Sequence, residues 1–293
     1  MEPIEMKLDS PIFIIGNPRS GTTLLRLTLN SHPLICIPPE SHFFLWLEKN
    51  FHSWTQKDGL KEYLHALFDC TKFETWNIDY EKLKEFLFEN NPQNYSQLNA
   101  LVYMFYGNSN HSKNIYWGDK NKLWKEKLHL ILRYYPKGRI IHIHRDGRDV
   151  ACSYRELNMK SIKSKYAPKL PNDIEHIALK WKENIANINE FEKSIPKNQL
   201  IRISYEELVN DQQSVAKRIC EFLQLKLPEN KMCHLSDDEK FNDEPKDFLQ
   251  WKSKIMKPID KKNIGKFKEI LSNREIEIFN QICKSELKYL NYE

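Results

Sequence analysis

The sequence predicts an α/β fold, a parallel sheet flanked by helices with a helical insertion, on three observations. Continuous, β-branched runs of strand length stand at 12–15, 139–144 and 200–204. Helical patterns fall between and after them, the order that lays a parallel sheet between layers of helix. The first run, IFII, leads straight into GNPRSG, whose two glycines have the spacing of a phosphate loop.

Taken in order, IFII (12–15) reads as a strand buried on both faces, and 22–30 as the helix that follows its loop. A second strand is expected to end near Ile37. Residues 41–113 interrupt the alternation with an aromatic-rich, mainly helical segment carrying Phe43, Phe44, Trp46, Trp54, Trp76, Tyr103, Phe105 and Tyr106. It is expected to cap the sheet, and such a cap can also wall a ligand cleft. A helix over 121–135 precedes the strand RIIHIH (139–144), and a helix over 147–157 follows it. Residues 158–173, NMKSIKSKYAPKLPND, are rich in Lys and Pro and show no period, so they read as a surface loop able to act as a lid. Helix 173–192, strand LIRIS (200–204), helix 206–223 and helix 273–288 complete the pattern. At 293 residues the chain suits one α/β domain with a sizeable insertion, and 1–293 is read as a single domain.

The formal net charge of +5 suits an anionic small ligand and asks for no nucleic acid. Cys36, Cys70, Cys152, Cys220, Cys233 and Cys283 are scattered, without metal spacing, and read as free thiols in a reducing compartment. The opening residues lack a basic stretch before their short apolar run, and the other apolar runs are strand-length. A cytoplasmic protein that neither enters nor binds a membrane is the expectation.

A strand, a tight loop and a helix start make an anion site from backbone geometry, because successive N–H groups and the helix dipole point into the loop. Gly16 and Gly21 permit the turn, and Ser20, Thr22 and Thr23 add hydroxyl donors. In nucleoside triphosphatases a lysine follows the second glycine. Here Thr22 holds that place and Arg19 lies inside the loop. No apolar strand ending in a metal-holding Asp accompanies it, so no metal is expected. Downstream, RIIHIHRDGRDVACS places Arg145 at the carboxyl end of a buried strand, where open α/β sheets bind ligands. Ser153 stands eight residues on, two turns along the next helix. A cation and a hydroxyl there suit a second phosphate, well separated from the first.

These residues carry a resemblance. PRSGTTLLR, then HP, then PPE, with HRDGRDVACS downstream, resembles the sulfotransferases that use 3′-phosphoadenosine 5′-phosphosulfate (PAPS). The first stretch is most similar to the arginine-containing version in tyrosylprotein sulfotransferases and their bacterial relatives. The resemblance implies a P-loop-like nucleotide hydrolase fold, with the first loop on the 5′-phosphosulfate and Arg145 and Ser153 on the 3′-phosphate. It continues in RISYEELVNDQQSVAKRICEFLQL, where Tyr205 matches a nucleotide-contacting tyrosine. It returns in IMKPIDKKNIGKFKEIL, where Lys257 and the Gly265–Lys266 pair match another nucleotide-contacting stretch. Segments 41–113 and 158–195 match poorly, and the acceptor is not named by any motif.

Sulfuryl transfer develops negative charge on the bridging oxygen, so a cation and N–H donors must be aimed there. Arg19 is the candidate. An acceptor hydroxyl also needs a base. Glu40 follows the second strand and lies 21 residues after Arg19, which matches the catalytic glutamate implied by the resemblance. Near Glu40, negative charge would also be favoured simply ahead of a helix. His42, His142, His144 and the pair Asp119 and Lys120 are further candidates, and His32 is expected to stabilise a turn. A small-molecule acceptor, such as a bacterial natural product, is the expected class, with a hydroxyl or a nitrogen as nucleophile. A P-loop small-molecule kinase and a catalytically silent nucleotide-binding module stay open as alternatives.

Overall fold

The structure is a computed structural model that describes residues 8–110, 116–121, 127–230, 232–234 and 243–293. Five parallel strands form one sheet: β1 (Ile12–Ile15), β2 (Ile35–Cys36), β3 (Tyr116–Lys120), β4 (Arg139–His144) and β5 (Leu200–Ser204). Their order is β2-β3-β1-β4-β5, so β1 is central, with Ile14 opposite both Lys120 and Ile141. The chain leaves β1 towards β2 and leaves β4 towards β5, on opposite sides. The crevice between β1 and β4 is therefore the switch point at which such sheets bind ligands.

Alternation along β1 sends side chains to two cores. Phe13 and Ile15 join the aromatic layer on one face, with Phe43, Phe44, Trp76, Tyr103 and Trp117. Ile12 and Ile14 join the opposite layer, with Leu25 and Leu29 of the helix Thr22–Asn30 and Val215 and Ile219 of the helix Gln212–Leu223. Beyond β4, the helices Gly147–Asn158, Ile174–Glu192 and Asn273–Tyr289 share a third core.

Most expected elements stand where the sequence placed them. Among its described residues the aromatic segment holds four α-helices, Phe43–Phe51, Lys61–Phe68, Tyr80–Asn90 and Tyr95–Asn110, and its rings pack onto the sheet, with Tyr103 stacked on Trp117 at 4.8 Å. Of the helix expected over 121–135, His129–Tyr134 stands and Lys127 is helical, while 122–126 lie outside the described residues. Two expectations are corrected. The sheet gains β3, whose YWGDK mixes Gly, Asp and Lys into a fully buried strand. The helix expected over 206–223 is two, Tyr205–Asn210 and Gln212–Leu223. Asp211 breaks them and caps the second by accepting the Ser214 N–H.

Candidate active site

The five strands end on one edge, and each delivers functional residues there. After β1 the chain turns so tightly that a Cβ on Gly16 would sit 2.3 Å from the Ile143 carbonyl oxygen of β4. Arg19 (φ 71°) and Gly21 (φ 93°) both take the left-handed backbone region, a strained state for arginine that loops at functional sites tolerate. Gly21 precedes the helix Thr22–Asn30, whose start carries no side-chain cap. Its first N–H groups and the positive end of its dipole therefore face the loop.

After β4, Arg145 leans over the Tyr205 ring at 4.2 Å, and Tyr205 itself follows β5. Arg145 Nη1 donates to the Arg19 carbonyl oxygen at 3.3 Å and Nη2 to that of Asn263 at 2.5 Å. Its Nε is buried without a hydrogen-bond partner among the described residues. Arg19 Nε in turn donates to Ser153 Oγ at 3.2 Å. Residues expected at two well-separated phosphates are thus one hydrogen bond apart, because β1 and β4 are neighbours and an arginine spans the gap. Burial, then the Arg145 charge beside it, pushes the Arg19 pKa down. Asp149, 3.9 Å from Arg145, is committed elsewhere: it accepts the N–H groups of Gly265 at 2.7 Å and Phe267 at 3.0 Å.

A cavity of about 340 Å³ opens over these residues. Arg19, Gly21, Thr22, Thr23, Arg145, Ser153, Tyr205 and Lys257 line it, as do Lys252 and Lys254. Of the other expected nucleotide contacts, Ser20 is fully buried behind the loop and its Oγ has no hydrogen-bond partner among the described residues. Gly265 and Lys266 do not line the cavity. The Gly265 N–H is taken by Asp149, and Lys266 Nζ lies 3.2 Å from Glu156. Those two residues hold the carboxyl-terminal segment against the helix Gly147–Asn158.

Glu40 follows β2 and is only 6% exposed. Lys72 Nζ reaches one carboxylate oxygen at 2.6 Å and Lys120 Nζ the other at 3.0 Å, while His42 Nε2 lies 3.3 Å away. Lys120 ends β3. Lys72 comes from the helical segment and holds a left-handed backbone at φ 75°. A second cavity of about 80 Å³ is lined by Glu40, Lys72, Lys120 and Asn121, and by Arg19, Thr22, Thr23 and Lys252, which also line the first. Its outer wall is Trp251 with Tyr166, Pro168 and Leu170 of the 158–173 segment. The Tyr166 hydroxyl donates to Glu74, and Lys165 Nζ lies 3.1 Å from the same carboxylate.

Lys252 is bonded to Glu244, which also lies 2.7 Å from Arg26 on the buried side of the helix Thr22–Asn30. Burial, only partly offset by Glu244, brings the Lys252 pKa down to about 7. Burial opposes ionisation of Glu244, but Lys252 and Arg26 bring it down to about 2. Sequence reasoning missed Lys72, Lys252 and Glu244, and no local pattern marks them. The histidines considered as bases, other than His42, lie away from both cavities. His142 bonds Glu192 at 2.8 Å, and His144, brought down to about 3 by burial and then by His142, bonds Tyr292 at 3.0 Å. His32 accepts the Leu34 N–H within its turn. Asp119 lines neither cavity and sits beside the buried Tyr103 hydroxyl.

A parallel sheet with an uncapped glycine loop and a second cationic strand end beside it defines an α/β protein with the kind of loop and strand edge at which such sheets take anionic ligands. More particularly, residues 11–229 match the model of the Sulfotransferase family, and the chain belongs to that family of transferases. Two relatives are similar at 25% identity. One is an uncharacterized protein of Aquifex aeolicus, aligned over 217 residues that make up 73% of this chain and 25% of that protein. The other is a Caenorhabditis briggsae protein described as "Putative protein-tyrosine sulfotransferase", aligned over 227 residues, 76% of this chain and 68% of that one. The chain thus spans about a quarter of the length of the Aquifex relative. Among solved structures, the sulfotransferase domain from the curacin biosynthetic pathway superposes with a TM-score of 0.59 at 20% identity, covering 93% of this chain and 97% of that one. Mouse sulfotransferase SULT7A1, complexed with PAP, gives 0.51 at 14%, covering 96% and 88%. These superpositions establish the fold: α/β, with a five-stranded parallel sheet flanked by helices. Among the described residues no helix is long and apolar enough to cross a membrane.

Proposed function

We propose that the chain moves the sulfuryl group of PAPS to a hydroxyl or nitrogen of a small-molecule acceptor by in-line displacement. The observation that carries this reading is the meeting of Arg19, Arg145 and Ser153 at the uncapped start of the helix Thr22–Asn30. Two buried guanidinium groups repel one another, and an anion bound between them would relieve both. A nucleotide with phosphate at its 3′ and 5′ positions supplies such anions, and the mouse neighbour was solved with PAP, adenosine 3′,5′-bisphosphate. Tyr205 would lie along the nucleotide, and Lys257 would face it from the opposite wall.

In this reading the acceptor oxygen forms the new bond to sulfur while the bond from sulfur to the 5′-phosphate oxygen breaks. The electron pair stays on that oxygen, and PAP departs. Loop N–H groups, Thr22, Thr23 and Arg19 face the developing charge, and Glu40 takes the acceptor proton. Lys72 and Lys120 fix the Glu40 carboxylate in the acceptor cavity. That cavity, about 80 Å³, is close to half of the roughly 150 Å³ that accommodates benzene. It suits the reactive tip of an acceptor, with residues 158–173 as the lid over it. The likeness to a domain from a biosynthetic pathway agrees with natural-product tailoring. We read 1–293 as one domain with 41–113 as its helical insertion. The six free cysteines agree with the cytoplasm.

The test is thermal unfolding with added nucleotide. PAP is expected to raise Tm without added metal, since a ligand that binds only the folded state stabilises it. AMP, lacking the 3′-phosphate, is expected to do so much less. Equal shifts would remove the role given to Arg145 and Ser153.

A further inference from the structure

In the reaction just proposed, the sulfuryl group leaves a cosubstrate seated in the larger cavity and arrives on an acceptor in the smaller one. Residues that line both cavities stand where it changes hands. Among the described residues these are Arg19, Thr22, Thr23 and Lys252. The first three belong to the phosphate loop and its helix. Lys252 comes from the distant end of the chain, as the last residue of the helix Lys246–Lys252.

We propose that Lys252 is a further catalytic residue, its ammonium touching the non-bridging oxygens of the sulfuryl group during transfer; this rests on the PAPS reading above. The other lysines that line the acceptor cavity are directed elsewhere. Lys72 and Lys120 line only that cavity and are bonded to Glu40. Arg19 spends its Nε on Ser153 and keeps its terminal nitrogens for the leaving oxygen. Lys252 is 9% exposed and is aimed by Glu244, which Arg26 holds from behind. Its stem end passes over the Phe248 ring, with Nζ 4.9 Å from the centroid. An ammonium has three N–H donors, and one bond to Glu244 leaves it able to serve an oxyanion as well. Lys252 changes no bond in the reaction and gives up no proton. The acceptor proton still goes to Glu40, and the electron pair of the broken bond to PAP. What Lys252 contributes is positive charge, from a buried side chain, where the transferring oxygens gather negative charge.

The test needs no acceptor, because PAPS carries the sulfuryl group and PAP lacks it. Calorimetric Kd values for both nucleotides are measured on the wild type, Lys252→Met and Lys252→Arg. Lys252→Met is expected to lose at least about tenfold in PAPS affinity, the scale of a charge-assisted hydrogen bond, and to hold PAP nearly as before. Lys252→Arg, which keeps the charge, is expected to recover most of the loss. If Lys252→Met does not fold, Lys252→Gln, which keeps a hydrogen bond to Glu244, carries the same comparison. An unchanged ratio of the two Kd values, or an equal loss for both nucleotides, overturns the proposal. A wild type that binds neither nucleotide overturns the PAPS reading itself, a separate and recognisable failure.

Discussion

Removing the Arg145 side chain separates nucleotide recognition from loop support. Arg145→Ala deletes a guanidinium that lies over Tyr205 at 4.2 Å and donates to two backbone carbonyls, those of Arg19 and Asn263. If the same group also grips a 3′-phosphate, the loss is one charge-assisted hydrogen bond or a fork of two. Each such bond contributes about 1.5–3 kcal/mol, or roughly 10- to 150-fold in Kd. PAP affinity is expected to fall in that range. AMP has no 3′-phosphate, so its weaker affinity should change little. Arg145→Lys keeps the charge without the fork and should fall between. The assay is calorimetric titration of each variant with PAP and AMP. Arg145→Ala binding PAP normally would falsify the assignment. A variant that loses PAP and AMP affinity in equal measure would also refute it, by showing that Arg145 merely holds the loop through Arg19 and Asn263.

Two further outcomes follow from the acceptor side of the junction. Glu40→Gln is expected to bind PAP with nearly unchanged affinity and to lose roughly 10²–10⁴-fold in turnover, the contribution of a general base; full activity in Glu40→Gln with loss in His42→Ala would move the base to His42. The second is a pH dependence. With its pKa brought down to about 7 by burial, Lys252 carries its charge below that pH in the free enzyme and loses it above. PAPS affinity is therefore expected to weaken as pH rises past about 7. Lys252→Arg, charged throughout, should hold its affinity over the same range, and identical profiles for the two proteins would contradict the expectation.

What the sequence made legible was local. IFII and RIIHIH are buried on both faces, so they read as strands without any partner, and Gly16 to Gly21 reads as a loop because the glycine spacing itself carries the turn. Glu40 could be nominated from its place after β2. β3 could not be read, because Tyr116–Lys120 is mixed in character and becomes a strand only by pairing with β1 on one side and β2 on the other. The site's remaining cations depend on contacts between distant parts of the chain. Lys72 reaches Glu40 across 32 positions, and Arg26 reaches Glu244 across 218. Lys252 is in turn bonded to that Glu244. Arg19 and Ser153, both nominated, lie 134 positions apart, and their direct bond was hidden for the same reason. Gly265 and Lys266 show the converse: their pattern suggested a phosphate, and their atoms are spent on Asp149 and Glu156.

The central claim is the transfer of a sulfuryl group from PAPS, and one incubation tests it directly. The protein is mixed with PAPS and a panel of hydroxyl- and amine-bearing small molecules in the presence of a chelator, and products are read by mass spectrometry. The account predicts stoichiometric PAP and a sulfated acceptor, both absent with Glu40→Gln on the same timescale. Phosphate transfer from ATP to the same panel on restoring Mg²⁺, with PAPS left intact throughout, would contradict it.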